Sequence, residues 1–238
     1  MKDFEALKEE AKQYIRYDKD KANKIATITF ARPQAQNAMN AGMRQLYADL
    51  VFKANIDDDV KVLVIRGEGD NFGPGGDHYA KTRAGNRPLQ EFKKISIVEA
   101  KGYCYGWHFY QAADADLLVS ADDALFGHPS FRYVGWGPRM WTWIEMIGLR
   151  KFEEMLFTGR PFTAAEMYEC SFVNSVVTRE NLEKETEKYA MACSRTRPTD
   201  TVQAQKTFIE VYKQYRGEYM GSLLTGWLEG MLPVMRND

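Results

Sequence analysis

Apolar positions Phe4, Leu7, Ala11 and Ile15 recur at helical spacing among alternating charges, so a short amphipathic helix is expected over residues 4–16. Ile25-Ala-Thr-Ile-Thr-Phe30 is β-branched and predicts a strand, ended by Pro33. From Asn40 to Ala54 the apolar residues Met43, Leu46, Leu50 and Val51 lie on one helical face, and Asp57-Asp58-Asp59 closes that helix as a polar turn. Lys61-Val-Leu-Val-Ile65 is a continuous apolar run, the pattern of a strand covered on both faces. The order then repeats loosely. Ile95–Val98 predicts a strand, Gly106–Ala113 a helix, Asp116–Val119 a strand, and Asp122-Asp123 a turn into Ala124-Leu-Phe126. Met140–Ile147, Lys151–Phe157 and Thr163–Glu169 read as helices and Phe172–Val177 as a last short strand. From Arg179 onward the pattern is helical, broken at Pro198 and Pro233. Strand-rich units come first and helices last, which predicts an α/β core over 1–195 and a helical C-terminal segment over 196–238.

Composition narrows the function classes. The 238 residues are 45% hydrophobic and 27% charged, which excludes a disordered or collagen-like chain and suffices for a full core. Lys and Arg number 32 against 33 Asp and Glu, so nothing in the balance calls for a nucleic-acid partner. Cys104, Cys170 and Cys193 form no CxxC pair, so neither a disulfide framework nor a zinc site is expected. No run of about 18 apolar residues is present, and the charged start of the chain does not read as a signal peptide. No membrane partner and a cytoplasmic location are therefore the expectations.

Three glycine-rich segments carry the candidate chemistry. Phe72-Gly-Pro-Gly-Gly-Asp77-His78 packs three glycines and a proline together, so it forms a tight loop with backbone N–H groups on offer to an anion or a carbonyl oxygen. It is neither a GxGxxG fingerprint nor a P-loop. Lys101-Gly-Tyr-Cys-Tyr-Gly-Trp-His108-Phe-Tyr110 puts Gly106 just before a helix, so Trp107 falls in its first turn, where N–H groups lack intrahelical partners. Phe126-Gly-His128-Pro-Ser130, followed by Gly135-Trp-Gly-Pro-Arg139, is the third. The chain's three histidines, His78, His108 and His128, each lie in one of these segments. Histidine is the usual proton carrier near neutral pH, and the spacing is not that of a helical metal motif, so no metal is assigned. The aromatic run from Trp136 to Trp143 reads as pocket wall or core, and Met231–Met235 as a subunit or lid contact.

In order along the chain, these motifs resemble the crotonase superfamily of enoyl-CoA hydratases and isomerases. Ile28-Thr-Phe-Ala-Arg-Pro33 with Gln36-Asn-Ala-Met39 is similar to the family's opening strand and Asn-Ala-Leu/Met segment. Phe72–Asp77 is similar to its Phe-x-x-Gly-Ala-Asp loop, and Lys101–Gly106 to its Asn-Gly-x-Ala-x-Gly-Gly-Gly segment. Ala115-Asp116 with Phe126-Gly-His-Pro129, then Glu154–Gly159, Ala164–Glu166 and Val173–Val177, continue the likeness across about residues 20–180. The resemblance implies a spiral of ββα units, assembly as a homotrimer or homohexamer, and an acyl-CoA or related carbonyl substrate, with coenzyme A entering as part of the substrate and no separate cofactor. It also implies an oxyanion hole whose donors, carried over by position, are the backbone N–H groups of Gly76 and Trp107. Ala38, Asp77, His78 and Arg139 are the substrate-binding candidates.

The departures bear on the reaction. At the two positions where the hydratase pattern has glutamates, this chain has Tyr110 and Ser130, neither a carboxylate. A tryptophan replaces the middle glycine at position 107, where its side chain would narrow the acyl pocket or alter the hole. His108, Tyr110, His128 and Ser130 are therefore the catalytic candidates, with the histidines as base and acid. Three functions follow. The leading one is an enzyme acting on an acyl-CoA thioester through a hole-stabilised enolate, by hydration or elimination, isomerisation or ring-opening hydrolysis. The second is a CoA-independent retro-Claisen hydrolase of a cyclic β-diketone, by analogy with a histidine-equipped relative. The third is a catalytically silent binding module.

Overall fold

The structure is a computed structural model that describes residues 4–76, 88–133 and 140–225. The chain opens with helix α1 (Phe4–Ala11), strands β1 (Ile15–Asp20) and β2 (Ile25–Phe30), helix α2 (Ala41–Ile56) and strand β3 (Val62–Gly67). Two units of the same order follow: β4 (Ile95–Ala100), β5 (Tyr103–Tyr105) and α3 (Trp107–Asp114), then β6 (Leu117–Ala121), β7 (Leu125–Gly127) and α4 (Pro129–Tyr133). Helices α5 (Met140–Ile147) and α6 (Leu149–Thr158), strand β8 (Phe162–Thr163), helix α7 (Ala164–Glu169), strand β9 (Ser175–Val177) and helices α8 (Leu182–Thr196) and α9 (Thr199–Tyr215) complete the order, with a further helical stretch over 218–225.

Among the described residues, one sheet has the order β1-β2-β3-β4-β6-β9 and a smaller one the order β5-β7-β8. In the larger sheet β1 is antiparallel to β2, and β2, β3, β4, β6 and β9 run parallel. The units β4-β5-α3 and β6-β7-α4 each leave the large sheet, add a short strand to the small one and enter a helix. The continuous apolar runs split by the two-residue period of a strand. Leu63, Ile65, Val98 and Leu118 face the main core, with α2 and α3. Val62, Val64, Ile97 and Val119 face Leu182 and Ala190 of α8.

Local chemistry fixes the elements that frame the site. The Asn40 side chain caps α2 by accepting from the Met43 N–H at 2.8 Å. At the other end the buried Lys94 ammonium donates to the Ala54 carbonyl (2.9 Å) and the Asp57 carbonyl (2.5 Å), meeting the negative end of the helix. Burial lowers the proton affinity of Lys94. Helix α9 is tied to the sheet where Lys206 Nζ bonds both Asp116 carboxylate oxygens at 2.6 and 2.7 Å. Two expectations are corrected. The first helix ends at Ala11, so Ile15 belongs to strand β1, whose polar sequence Ile-Arg-Tyr-Asp-Lys-Asp suits a largely solvent-facing edge. The last strand is shortened to Ser175–Val177. Pro233 and the Met231–Met235 segment lie outside the described residues. None of the described helices is long and apolar enough to cross a membrane.

Candidate active site

The loop at 72–76 is stitched to the β4-β5-α3 unit along its length. Phe72 N–H donates to the Lys101 carbonyl (2.8 Å), Gly73 N–H to the Tyr103 carbonyl (2.6 Å), and Tyr105 N–H returns to the Gly73 carbonyl (2.9 Å). From the other side Met39 N–H donates to the Gly75 carbonyl at 3.0 Å. Met39 is held there by Asn37, which is fully buried. Its side-chain amide donates to the Glu68 and Asn71 carbonyls (2.9 and 2.8 Å), and its oxygen accepts the Arg32 N–H (2.9 Å). The Gln-Asn-Ala-Met segment is thus a clamp on the glycine loop.

Glycine is required on both sides of this junction. Gly75 has φ +117°, and Gly106, the residue before α3, has φ 55° and ψ −117°. A Cβ on Gly75 would lie 3.6 Å from the Trp107 nitrogen, so the loop and the start of α3 are in contact. Trp107 occupies the first position of α3, and among the described residues its N–H meets no acceptor. Gly76 N–H likewise has no acceptor there, and Gly76 is exposed. Because a trans peptide points its C=O and N–H in opposite directions, the bond from Met39 to the Gly75 carbonyl turns the Gly76 N–H away from Met39. Two N–H groups on neighbouring chain segments are the ingredients of an oxyanion hole. The Trp107 ring takes no part in it. The ring is buried against Phe30 and Tyr47, with centroids 5.9 and 5.2 Å away, so the side chain adds to the core between β2 and α2.

Tyr110 and the Ser130 backbone are joined through His128. Tyr110 Oη lies 2.6 Å from His128 Nε2, and His128 Nδ1 accepts the Ser130 N–H at 3.2 Å. A neutral imidazole accepting at Nδ1 carries its proton on Nε2, so His128 donates to the phenol oxygen and the phenol hydrogen points elsewhere. Burial pushes the His128 pKa down to about 4, so the ring is neutral at pH 7. Trp143 of α5 backs the pair: Tyr110 stacks on it at 5.3 Å and Phe109 at 4.7 Å.

His108 points the other way. It is fully buried, in edge contact with Phe30, Phe72 and Trp107. Its Nδ1 accepts the Gly75 N–H at 3.2 Å. Burial first, and the nearby Arg44 charge second, push its pKa down to about 3. His108 and His128 therefore share no ring contact: His108 faces the glycine loop, and His128 packs on Tyr110 from the opposite side of α3. Ala38 is half-buried, with its N–H on the Ala35 carbonyl and its own carbonyl on Arg32 Nη1, both 2.9 Å. Asp77, His78 and Arg139 lie outside the described residues. Arg44 was not legible as a site residue from sequence. Its guanidinium fills the space a side chain at position 76 would need, with Nη2 1.9 Å from an ideal Cβ. The available signal was the second glycine of Gly-Gly-Asp, where the similar family loop has alanine.

Residues 20–220 match a family model described as enoyl-CoA hydratase/isomerase. The chain belongs to this family. A solved structure of a probable enoyl-CoA hydratase from Mycobacterium thermoresistibile is similar at 29% identity and a TM-score of 0.81, covering 89% of this chain and 91% of that one. A probable enoyl-CoA hydratase from Mycobacterium smegmatis is similar at 28% and 0.80, covering 89% and 90%. An enoyl-CoA hydratase/isomerase from Pseudoalteromonas atlantica T6c shares the fold at 20% and 0.81, covering 90% and 88%. Membership of the crotonase superfamily and its α/β fold, with a helical C-terminal region, are borne out.

Proposed function

We propose that the protein binds an acyl-CoA thioester and stabilises its enolate with the N–H groups of Gly76 and Trp107, while Tyr110, oriented by His128, exchanges the proton at the carbon next to the carbonyl. The observation that carries this reading is the 2.6 Å Tyr110–His128 bond at one former carboxylate position, held from the other by the Ser130 N–H. Family membership supports the substrate class. Two donors aimed at the developing oxyanion would each be worth roughly 2.7–4 kcal/mol. An N–H aimed at the phenol oxygen favours proton release, because it stabilises the charge left behind. The lone pair of the buried His128 ring is occupied by Ser130, so we assign the ring to orienting the phenol rather than to binding the proton itself. Hydration or elimination, isomerisation and ring-opening hydrolysis all pass through such an enolate.

A second reading is a CoA-independent retro-Claisen hydrolase of a cyclic β-diketone, favoured by the histidine in the pair. We take residues 1–195 as the catalytic core and 196–238 as the segment that joins a homotrimer or homohexamer. The exposed Phe208, Val211 and Tyr215 on α9 support that assembly. The deciding experiment is calorimetric titration with CoA and with a short enoyl-CoA, followed by a turnover assay on the same sample. Binding with turnover is expected. Binding without turnover would point to a silent module, and no binding would sink the thioester reading and leave the diketone.

A further inference from the structure

We propose that His108 is a positioning residue: by accepting the Gly75 N–H it locks the 72–76 loop in the conformation that holds the Gly76 N–H beside the Trp107 N–H. This rests on the reading of those two N–H groups as a hole. The geometry for it is complete on the loop side. The peptide before Gly75 is fixed through its N–H by His108 at 3.2 Å, and the peptide after it through its C=O by Met39 at 3.0 Å. With both flanking planes held, the unusual φ of +117° at Gly75 has no freedom left, and neither plane can flip without breaking a bond. The loop is also cut to fit the ring. A Cβ on Gly73 would lie 2.1 to 2.5 Å from the ring atoms Cε1, Nε2 and Nδ1, so only glycine there admits the imidazole.

His108 directly follows Trp107, so one stretch of α3 supplies one donor and fixes the other. Accepting at Nδ1 requires the proton on Nε2, and that atom is buried with no hydrogen-bond partner among the described residues. A packing role alone would be served by an apolar side chain without that unmet donor. A proton-transfer role needs access, and the ring is fully buried with its only lone pair spent on Gly75. Arg44 of α2 is the charged group facing it, and together with burial keeps the ring neutral and therefore an acceptor at ordinary pH.

The test begins with the unaltered protein labelled with ¹⁵N-histidine, whose three histidines can be assigned by single substitutions. Long-range ¹H–¹⁵N correlation should show His108 as the Nε2–H tautomer, unchanged between about pH 5 and 8. An Nδ1–H tautomer, or a ring that titrates in that window, would overturn the lock. Two variants then separate the acceptor from bulk. His108→Leu keeps the volume and loses the acceptor, whereas the Oδ1 of His108→Asn can take the Gly75 N–H. Amide hydrogen exchange at Gly75 should quicken about 3- to 10-fold in His108→Leu, the effect of losing one hydrogen bond, and return toward the original rate in His108→Asn. With a turned-over enoyl-CoA, His108→Leu should lower kcat while leaving KM nearly unchanged, and His108→Asn should recover it. Equal behaviour of the two variants in both assays would overturn the proposal. If the unaltered protein binds no CoA thioester, the hole reading falls, whereas the lock itself is still decided by the tautomer and the exchange rate.

Discussion

Keeping His108 neutral in the core has a cost that appears on acidification. The ring's pKa falls from an ordinary 6.5 to about 3 in the folded state. The unfolded chain therefore binds a proton between those values that the folded chain refuses. Stability contributed by the neutral ring is intact above the unfolded pKa and is lost as pH falls toward the folded one. At pH 5 an unfolded histidine is nearly all charged and the buried one is not, which amounts to about 2 kcal/mol relative to pH 7.5. Below the folded pKa the loss would level off at about 5 kcal/mol. The assay is urea unfolding of the unaltered protein and of His108→Asn at pH 7.5 and pH 5. Carboxylates titrate alike in both, so the difference of differences isolates His108. His108→Asn should lose about 2 kcal/mol less on acidification than the original. Equal losses would mean that the ring is reached by solvent or charged in the fold, and the argument for a permanent acceptor would fail.

Trp107→Pro deletes one donor at a helix position that tolerates proline, while Trp107→Ala shares the lost ring but keeps the N–H; turnover of Trp107→Pro should be about 10²- to 10³-fold below that of Trp107→Ala, and equal rates would remove Trp107 from the hole. Tyr110→Phe should strand the His128 Nε2–H and lower stability by about 1–3 kcal/mol in urea unfolding, with turnover reduced about 10²-fold or more. Gly73→Ala drives a methyl into the buried His108 ring and should destabilise by about 1–3 kcal/mol, whereas Gly76→Ala meets only the tip of Arg44 and should unfold near the original midpoint. If Gly76→Ala proves the more damaging in thermal melts, the guanidinium is more rigidly held than its position on a flexible side chain implies.

The sheet was legible wherever apolar runs were long. Val62–Ile65 shows its double burial in composition alone, Ile95–Val98 reads as a strand, and the turn at Asp57–Asp59 follows from charge. Strand β1 was hidden because an edge strand with one buried face can carry Arg16, Asp18, Lys19 and Asp20, which read as helix surface or loop. The glycine loops and the first turn of α3 were found because special backbone conformations restrict residue choice. What could not be read was direction. Two residues on a predicted helix are turned about 200° apart, so His108 and Tyr110 were bound to face opposite sides, but only the structure shows that one meets the glycine loop and the other His128. The direction of the Trp107 ring was unreadable for the same reason: a side chain expected to narrow the acyl pocket or alter the hole lies against Phe30 and Tyr47. Arg44 was invisible because its proximity to Gly76 depends on a helix packed over a loop far along the chain.

The burial of the Trp107 ring against Phe30 and Tyr47 bears on how the proposed hole could keep its electrostatics while its side chains change. A hole made of peptide N–H groups depends on peptide planes, and these are fixed by Gly75, Gly106, Met39 and the start of α3 rather than by the residue that owns the donor. A tryptophan can therefore stand at 107, provided its ring finds room behind the helix and leaves the N–H in place. The proposed proton-handling positions would have no such insulation, because there the side chain would be the function. In the proposed reading, a phenol and a serine at the two glutamate positions, with a neutral imidazole between them, change what the site can protonate, and the hole is the part expected to be shared with hydratases. On this argument the reaction should be sought among steps that need a stabilised enolate and a weakly acidic proton donor, before those that need a carboxylate to activate water.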